Sequence, residues 1–156
     1  MSDERIVAVR SVGFCSGLPE VVLAALARIS ARVQQRAGAT IQLEGDPAAQ
    51  MYIVAQGCVK ILRVGTNGRE QILNIIGPGS HFNTVPMFDG GPCPANAEAM
   101  TDVLLLALPR APLLALLGEH PALAHALLAE LSSRLRHMVN LVDELALHSV
   151  QGRLAG

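Results

Sequence analysis

The period of the apolar positions changes twice along the chain. From Pro19, which suits the first turn of a helix, apolar residues recur at three- and four-residue spacing as far as Val33. This pattern predicts an amphipathic helix over residues 19–35, with Gly38 ending it. Residues 1–13 are only weakly patterned, and we expect an arm or a short helix there.

Between Ala39 and Leu108 the apolar residues form short segments separated by turn residues. Asn67-Gly68 lies between two alternating runs, and both residues accept the positive backbone angles that a tight hairpin turn requires. The segments therefore predict a small antiparallel sheet folded on itself as a barrel or jelly roll. The predicted strands span residues 40–43, 51–57, 58–64, 70–76, 95–101 and 102–108.

After Pro109 the helical period returns. Residues 111–117 predict a short apolar helix ended by Gly118, and Pro121 opens a long helix. Along this helix one narrow row of apolar residues has alternating spacings of three and four, and we call it the heptad seam: Leu128, Leu131, Leu135, Met138, Val142 and Leu145. A seam this narrow indicates a helix that pairs with another helix, so we predict a homodimer. The alternative is that the apolar row packs on the chain's own barrel.

The composition narrows the possible functions. With 156 residues, 51% of them hydrophobic, the chain can bury the core of one domain. A net charge of -1 and 3% aromatic residues argue against a nucleic-acid-binding surface on this chain. The three cysteines, Cys15, Cys58 and Cys93, are far apart, which favours a reducing compartment over a disulfide framework or a zinc site. Without a signal peptide or an apolar run of about 18 residues, we expect a cytoplasmic protein with no membrane contact.

Residues 77–102 form a loop punctuated by glycine and proline between two apolar runs, and we predict that they hold the ligand pocket of a sensor domain. The chain shows no catalytic triad or carboxylate pair, and Gly77-Pro78-Gly79 lacks the lysine of a P-loop, so we predict no enzyme activity. The candidate pocket residues are Gly79, Ser80, His81, Phe82, Asn83, Thr84, Val85, Cys93, Pro94, Ala95 and Asn96.

Residues 44–79, 88–102 and 120–147 together resemble the sensor domain of CRP/FNR-type transcription regulators, a branch of the cyclic-nucleotide-binding superfamily. The resemblance covers about residues 14–155. It implies an α+β fold: an antiparallel β-roll, jelly-roll-like and similar to the double-stranded β-helix of cupins, flanked by an N-terminal helix and a long C-terminal dimerisation helix.

The resemblance also implies a division of the chain. Residues 1–13 would be an arm, 14–120 the β-roll with its flanking helices, and 121–156 the dimerisation helix and the start of a hinge. In the family this hinge leads to a helix-turn-helix domain that reads DNA as a dimer. DNA would therefore be a partner through a C-terminal domain that this chain does not contain.

The ligand cassette of the cyclic-nucleotide branch reads Gly-Glu, a short loop, then Arg-Ser/Thr-Ala. On that frame Asn83-Thr84 stand at Gly-Glu, and Cys93-Pro94-Ala95 stand at Arg-Ser-Ala. The arginine that pairs with the cyclic phosphate and the glutamate that accepts from the ribose hydroxyl are both replaced. The resemblance thus implies a sensor of an unknown small-molecule effector that does not bind cAMP or cGMP.

Two alternatives remain open from the sequence. The chain could be a stand-alone structural or protein-interaction module that has kept the β-roll. Within the family it could instead be a haem-based gas sensor, with His81 or Cys93 as an axial ligand to the iron; an ordinary loop histidine and a small apolar filler are the simpler interpretations of these two residues.

Overall fold

The computed structural model describes the backbone of residues 2–155 and the side chains of residues 4–147. Helices and two antiparallel four-stranded sheets build it, which confirms the predicted α+β class. The helices are α1 (Ser2–Arg10), α2 (Glu20–Ile29), α3 (Thr84–Asp89), α4 (Arg110–Glu119) and α5 (Pro121–Ala155), with a 3₁₀ turn at Gly13–Cys15. The strands are β1 (Ala31–Gln35), β2 (Thr40–Gln42), β3 (Gln50–Gln56), β4 (Val59–Val64), β5 (Glu70–Ile76), β6 (His81–Phe82), β7 (Asn96–Ala99) and β8 (Val103–Pro109).

The two sheets have the strand orders β1-β8-β3-β6 and β2-β7-β4-β5. Strand β8 lies inside the first sheet and is covered on both faces, which explains its uninterrupted apolar sequence. Val103, Leu105 and Ala107 join the core between the sheets. Leu106 and Leu108 join the core that the sheet forms with the helices. The first sheet therefore lies between the second sheet and a layer of helices.

The helix predicted over residues 19–35 is wrong beyond residue 29. Helix α2 ends at Ile29, and the Ser30 hydroxyl donates a hydrogen bond to the carbonyl of Ala27 at 2.6 Å. Residues 31–35 instead form β1, which pairs antiparallel with β8. Val33 falls at helical spacing from Ile29, but its backbone completes the hydrogen bonding of a neighbouring strand. Pairing with a strand distant in sequence overrides a local period.

The other predicted strands are present with end positions shifted by a few residues, and the hairpin at Asn67-Gly68 joins β4 to β5. Within the loop predicted at residues 77–102 lie two elements that the sequence did not indicate, β6 and α3. Strand β6 has two residues and α3 has six, which is too short for either to show a period. Both position the candidate pocket residues.

Helix α5 begins at Pro121 as predicted, and its side chains become exposed along its length. Leu123 and Leu127 are buried in the helical core, whereas every described side chain after Leu131 is exposed. The segment predicted as a dimerisation helix and hinge ends at residue 156, which lies outside the described residues. Among the described helices, none alone is long and apolar enough to cross a membrane. Helices α4 and α5 taken together have the length and composition of a span, but the chain bends by 112° between them.

Gly57 is the tightest point of the β-roll, because the turn between β3 and β4 passes against the turn between β7 and β8. Its φ is +85°, and a Cβ there would lie 2.3 Å from the carbonyl oxygen of Asp102. Gly68 has a similar φ of +79° but no atom within 4 Å of the same position. Substitutions at these two glycines therefore distinguish the effect of backbone strain, present at both, from that of steric overlap, present only at Gly57.

We expect Gly57→Ala to lower the free energy of unfolding by about 3 kcal/mol, since it adds a clash with backbone to the strain of a positive φ. Gly68→Ala, with strain alone, should cost about 1 kcal/mol. Urea unfolding followed by circular dichroism measures both. Equal losses for the two variants would contradict the close approach at Gly57.

Candidate functional site

A cavity of about 430 Å³ lies between the β-roll, α3 and α5, and we call it the cassette cavity. The segment from β6 to the start of α3 forms one wall, and Ile61, Asn74 and Ile76 of β4 and β5 form another. Helix α5 closes the third side with Leu131, Arg134, Leu135 and Met138. Six of the predicted pocket residues line this cavity: His81, Phe82, Asn83, Thr84, Val85 and Pro94.

Asn83 gives the cassette its shape. Its φ of +67° is left-handed, a conformation that asparagine tolerates better than other residues with a side chain. Gln42 holds the side chain in place: its Nε2 donates to Asn83 Oδ1 at 2.8 Å, and Asn83 Nδ2 donates back to Gln42 Oε1. Asn83 therefore turns the chain from β6 into α3 at the position where the resembled cassette has glycine.

His81 is fully enclosed, and both of its ring nitrogens have partners. Nδ1 lies 2.5 Å from Thr84 Oγ1, and Nε2 lies 2.7 Å from Glu130 Oε2. A carboxylate can only accept, so Nε2 carries a proton and donates to Glu130, while the Thr84 hydroxyl, which can donate or accept, is the partner of Nδ1. The imidazole also packs against Phe14 in a T-shaped arrangement, with ring centroids 5.2 Å apart and planes at 89°.

Arg134 lies one turn beyond Glu130 on α5. Its Nη2 is 3.4 Å from Glu130 Oε1 and 3.1 Å from His81 Nε2. Since Nε2 already donates to Glu130, the contact between Arg134 and the ring is a packing contact, and the charge of Arg134 acts on the carboxylate. Burial raises the pKa of Glu130, but the hydrogen bond and charge of His81 and the charge of Arg134 outweigh it and leave that pKa below its ordinary value. Glu130 is therefore a carboxylate at neutral pH.

Cys93 faces away from the cassette cavity. It is buried beside a separate space of about 160 Å³ that Asp46, Tyr52 and Asn83 also line. The amide of Asn83 donates to its sulfur at 3.7 Å, and burial raises the pKa of the thiol. A side chain at position 93 pointing this way does not reach a ligand in the cassette cavity.

His81 and Cys93, the two candidates for haem ligation, thus do not border the same cavity. Both nitrogens of His81 are in hydrogen bonds, so it could bind iron only by giving up a partner. The side chains present do not fit a haem. Within residues 4–147 no group of three His, Cys, Asp or Glu side chains could hold a metal ion.

The other predicted pocket residues have structural contacts elsewhere. Gly79 lies against the carbonyl of Ser11 with a φ of +86°, and the carbonyl of Ser80 accepts from the amide of Val54 at 2.9 Å. Ala95 is buried, and Asn96 Oδ1 accepts from the amide of Glu44 at 2.6 Å. These four residues shape the loop rather than line the cavity.

Sequence reasoning placed no residue of β4, β5 or α5 in the pocket. Arg134, which lies between the seam residues Leu131 and Leu135, is not among the predicted pocket residues. Its place in the wall follows from helix geometry, since residues three and four apart lie on one face and Leu131, Arg134 and Met138 are spaced that way. The spacing is visible in the sequence, but the sequence does not show which part of the domain this face of α5 packs against.

Comparison with known proteins agrees with this architecture. Residues 32–120 match the family model of the cyclic nucleotide-binding domain. A CRP-like cAMP-activated global transcriptional regulator of Mycobacterium tuberculosis is 34% identical over 143 residues, which are 92% of this chain and 64% of that protein. The chain therefore spans slightly less than two thirds of this relative.

Solved structures show the same likeness. The catabolite activator protein of Thermus thermophilus superposes with a TM-score of 0.77 at 37% identity, covering 85% of this chain and 62% of that one. The sensor domain of the transcriptional regulator DNR from Pseudomonas aeruginosa gives 0.76 at 31% identity, covering 90% and 95%. These relatives are transcription regulators, not enzymes, in agreement with the prediction of no catalysis. The chain belongs to the cyclic nucleotide-binding domain family and is a sensor domain of the CRP/FNR type.

Proposed function

We propose that this domain senses an effector for a dimeric transcription regulator of the cytoplasm, and that the effector is a small, mostly apolar molecule rather than cAMP or cGMP. The observation that carries the proposal is the cassette cavity. Its volume of about 430 Å³ lies within the range typical of small-molecule sites, and most of its lining is aliphatic or aromatic. DNA would be bound through a separate domain, as the names of the relatives suggest.

The cassette offers little to a cyclic phosphate. Cys93 stands at the arginine position and faces a different space, and Pro94 has no amide proton to donate. The hydroxyl of Thr84 is already hydrogen-bonded to His81. Among the described residues of the cavity wall, Arg134 is the one arginine or lysine, and it is beside the carboxylate of Glu130. A buried phosphate would therefore lose a charge-assisted contact of about 1.5–3 kcal/mol.

The heptad seam supports a dimer. Leu128, Leu135, Met138, Val142 and Leu145 are each between 61% and 70% exposed, and only Leu131 is partly covered. Apolar side chains along about 26 Å of one helix are typical of a face that another helix covers. A second copy is the partner that the a/d spacing favours.

The seam and the cavity share side chains. Leu131, Leu135 and Met138 lie on the seam and also line the cassette cavity. An effector in the cavity would contact the residues that meet the second copy, so that its affinity would differ between two arrangements of the helix pair. Such a difference shifts the population of the two arrangements.

We expect isothermal titration calorimetry to show no binding of cAMP or cGMP at millimolar nucleotide, because the cassette lacks the cation and the donors for the phosphate. The M. tuberculosis relative, named as cAMP-activated, is the positive control for nucleotide quality. A dissociation constant in the low micromolar range for this chain would contradict the proposed effector class.

We also expect light scattering to give the mass of a dimer at tens of micromolar protein. Leu145→Asp places a charge in the seam and should weaken dimerisation at least tenfold, about 1.4 kcal/mol. Leu147→Asp is the matched control, since Leu147 is similarly exposed at 61% but lies on the opposite face of the helix. A wild-type monomer at this concentration, or equal effects of the two variants, would contradict the seam.

A further inference from the structure

We propose that His81 is a positioning residue that transmits displacements of the cassette to α5 through the hydrogen-bonded chain Thr84–His81–Glu130. The inference rests on the proposed sensing function and describes how occupancy of that site would be converted into movement of α5. It concerns one buried ring and its two partners.

The chain joins the cassette, which supplies both Thr84 and His81, to a helix that is distant in sequence. Thr84 begins α3, His81 begins β6, and Glu130 lies in the third turn of α5. Among the described residues no hydrogen bond joins Thr84 directly to Glu130; each bonds one edge of the imidazole, at 2.5 Å and 2.7 Å. Because the ring is rigid, a shift of Thr84 either moves Glu130 or breaks a bond.

Breaking a bond is disfavoured by the surroundings of the ring. The His81 side chain has no exposed area, and the ring of Phe14 packs against it. A ring nitrogen that lost its partner would therefore be buried and unpaired, which costs free energy. The linked movement of Thr84, His81 and Glu130 is the less costly response to a displaced cassette.

Glu130 is placed where such a movement has the largest effect. Leu123 and Leu127 fix the first part of α5 in the helical core, and all described side chains after Leu131 are exposed. The bond from His81 is therefore near the last attachment of the helix to the body. The exposed part, residues 132–147, is about 24 Å long at 1.5 Å per residue, so a rotation of about 10° at Glu130 moves its far end by about 4 Å.

A double-mutant cycle on the whole chain tests the transmission without an effector. Thr84→Val removes the hydroxyl with little change of shape, and Thr84→Ser retains it. Glu130→Ala removes the acceptor on α5, and Glu144→Ala is its control on the exposed part of the same helix. The measurement is amide hydrogen exchange of residues 128–135, read by NMR.

We expect Thr84→Val to accelerate exchange in residues 128–135 at least threefold and Thr84→Ser to restore the wild-type rates. In the Glu130→Ala background, Thr84→Val should accelerate exchange by less than half of that factor. In the Glu144→Ala background it should accelerate exchange by the full factor. No change on Thr84→Val, or the same factor in both backgrounds, would overturn the proposal.

The ring itself gives a second readout, which holds if a variant is too unstable for exchange measurements. Nitrogen-15 spectra should show His81 with its proton on Nε2, the signals being assigned by their loss in His81→Gln. A ring without a proton on Nε2 would overturn the proposed chain, because it could then not donate to the Glu130 carboxylate. The nitrogen-15 readout depends on neither dimerisation nor effector, so a monomeric protein would contradict the proposed dimer and leave this result standing.

Discussion

A buried imidazole needs a partner at each of its two nitrogens, and much of this domain is arranged around that requirement. His81 comes from β6, a strand of two residues. Its first partner, Thr84, begins α3, and its second partner, Glu130, lies on α5. Phe14, in the turn after α1, closes the remaining side. Three segments distant in sequence, around Phe14, residues 81–84 and Glu130, therefore meet at one ring, beside the part of the cassette cavity that α5 lines.

The cassette shows how a backbone shape persists when the chemistry of the side chains changes. The left-handed turn that glycine would make freely is made here by Asn83, held by the reciprocal amide pair with Gln42. The same amide also donates to Cys93, so that the thiol is drawn towards the interior of the roll. The residue at the arginine position of the resembled cassette is thus part of the scaffold, and the described wall of the cavity is mostly apolar, with Arg134 paired to Glu130.

Helix α5 combines two environments in one continuous element. Its first turns are part of the helical core, and its later turns expose a row of apolar side chains that no described part of the chain covers. The change occurs next to Glu130 and Leu131, where the helix also borders the cavity. Membership of the CRP/FNR-type sensor family, and the likeness to the Thermus and Pseudomonas structures, place this arrangement among regulators in which a β-roll is joined to a long helix.

The amino-acid sequence by itself determined the class of fold, most strands, the hairpin at Asn67-Gly68, the start of α5 and the heptad spacing, because each depends on local period or on a turn residue. It also showed that the cassette lacks its arginine and glutamate. Only the tertiary structure decided that residues 31–35 form a strand, that Cys93 faces away from the cavity, and that His81 is joined to Thr84 and Glu130. These features depend on pairing and burial between segments distant in sequence, and a stretch such as 77–102, with elements of two and six residues, carries no period from which they could be predicted.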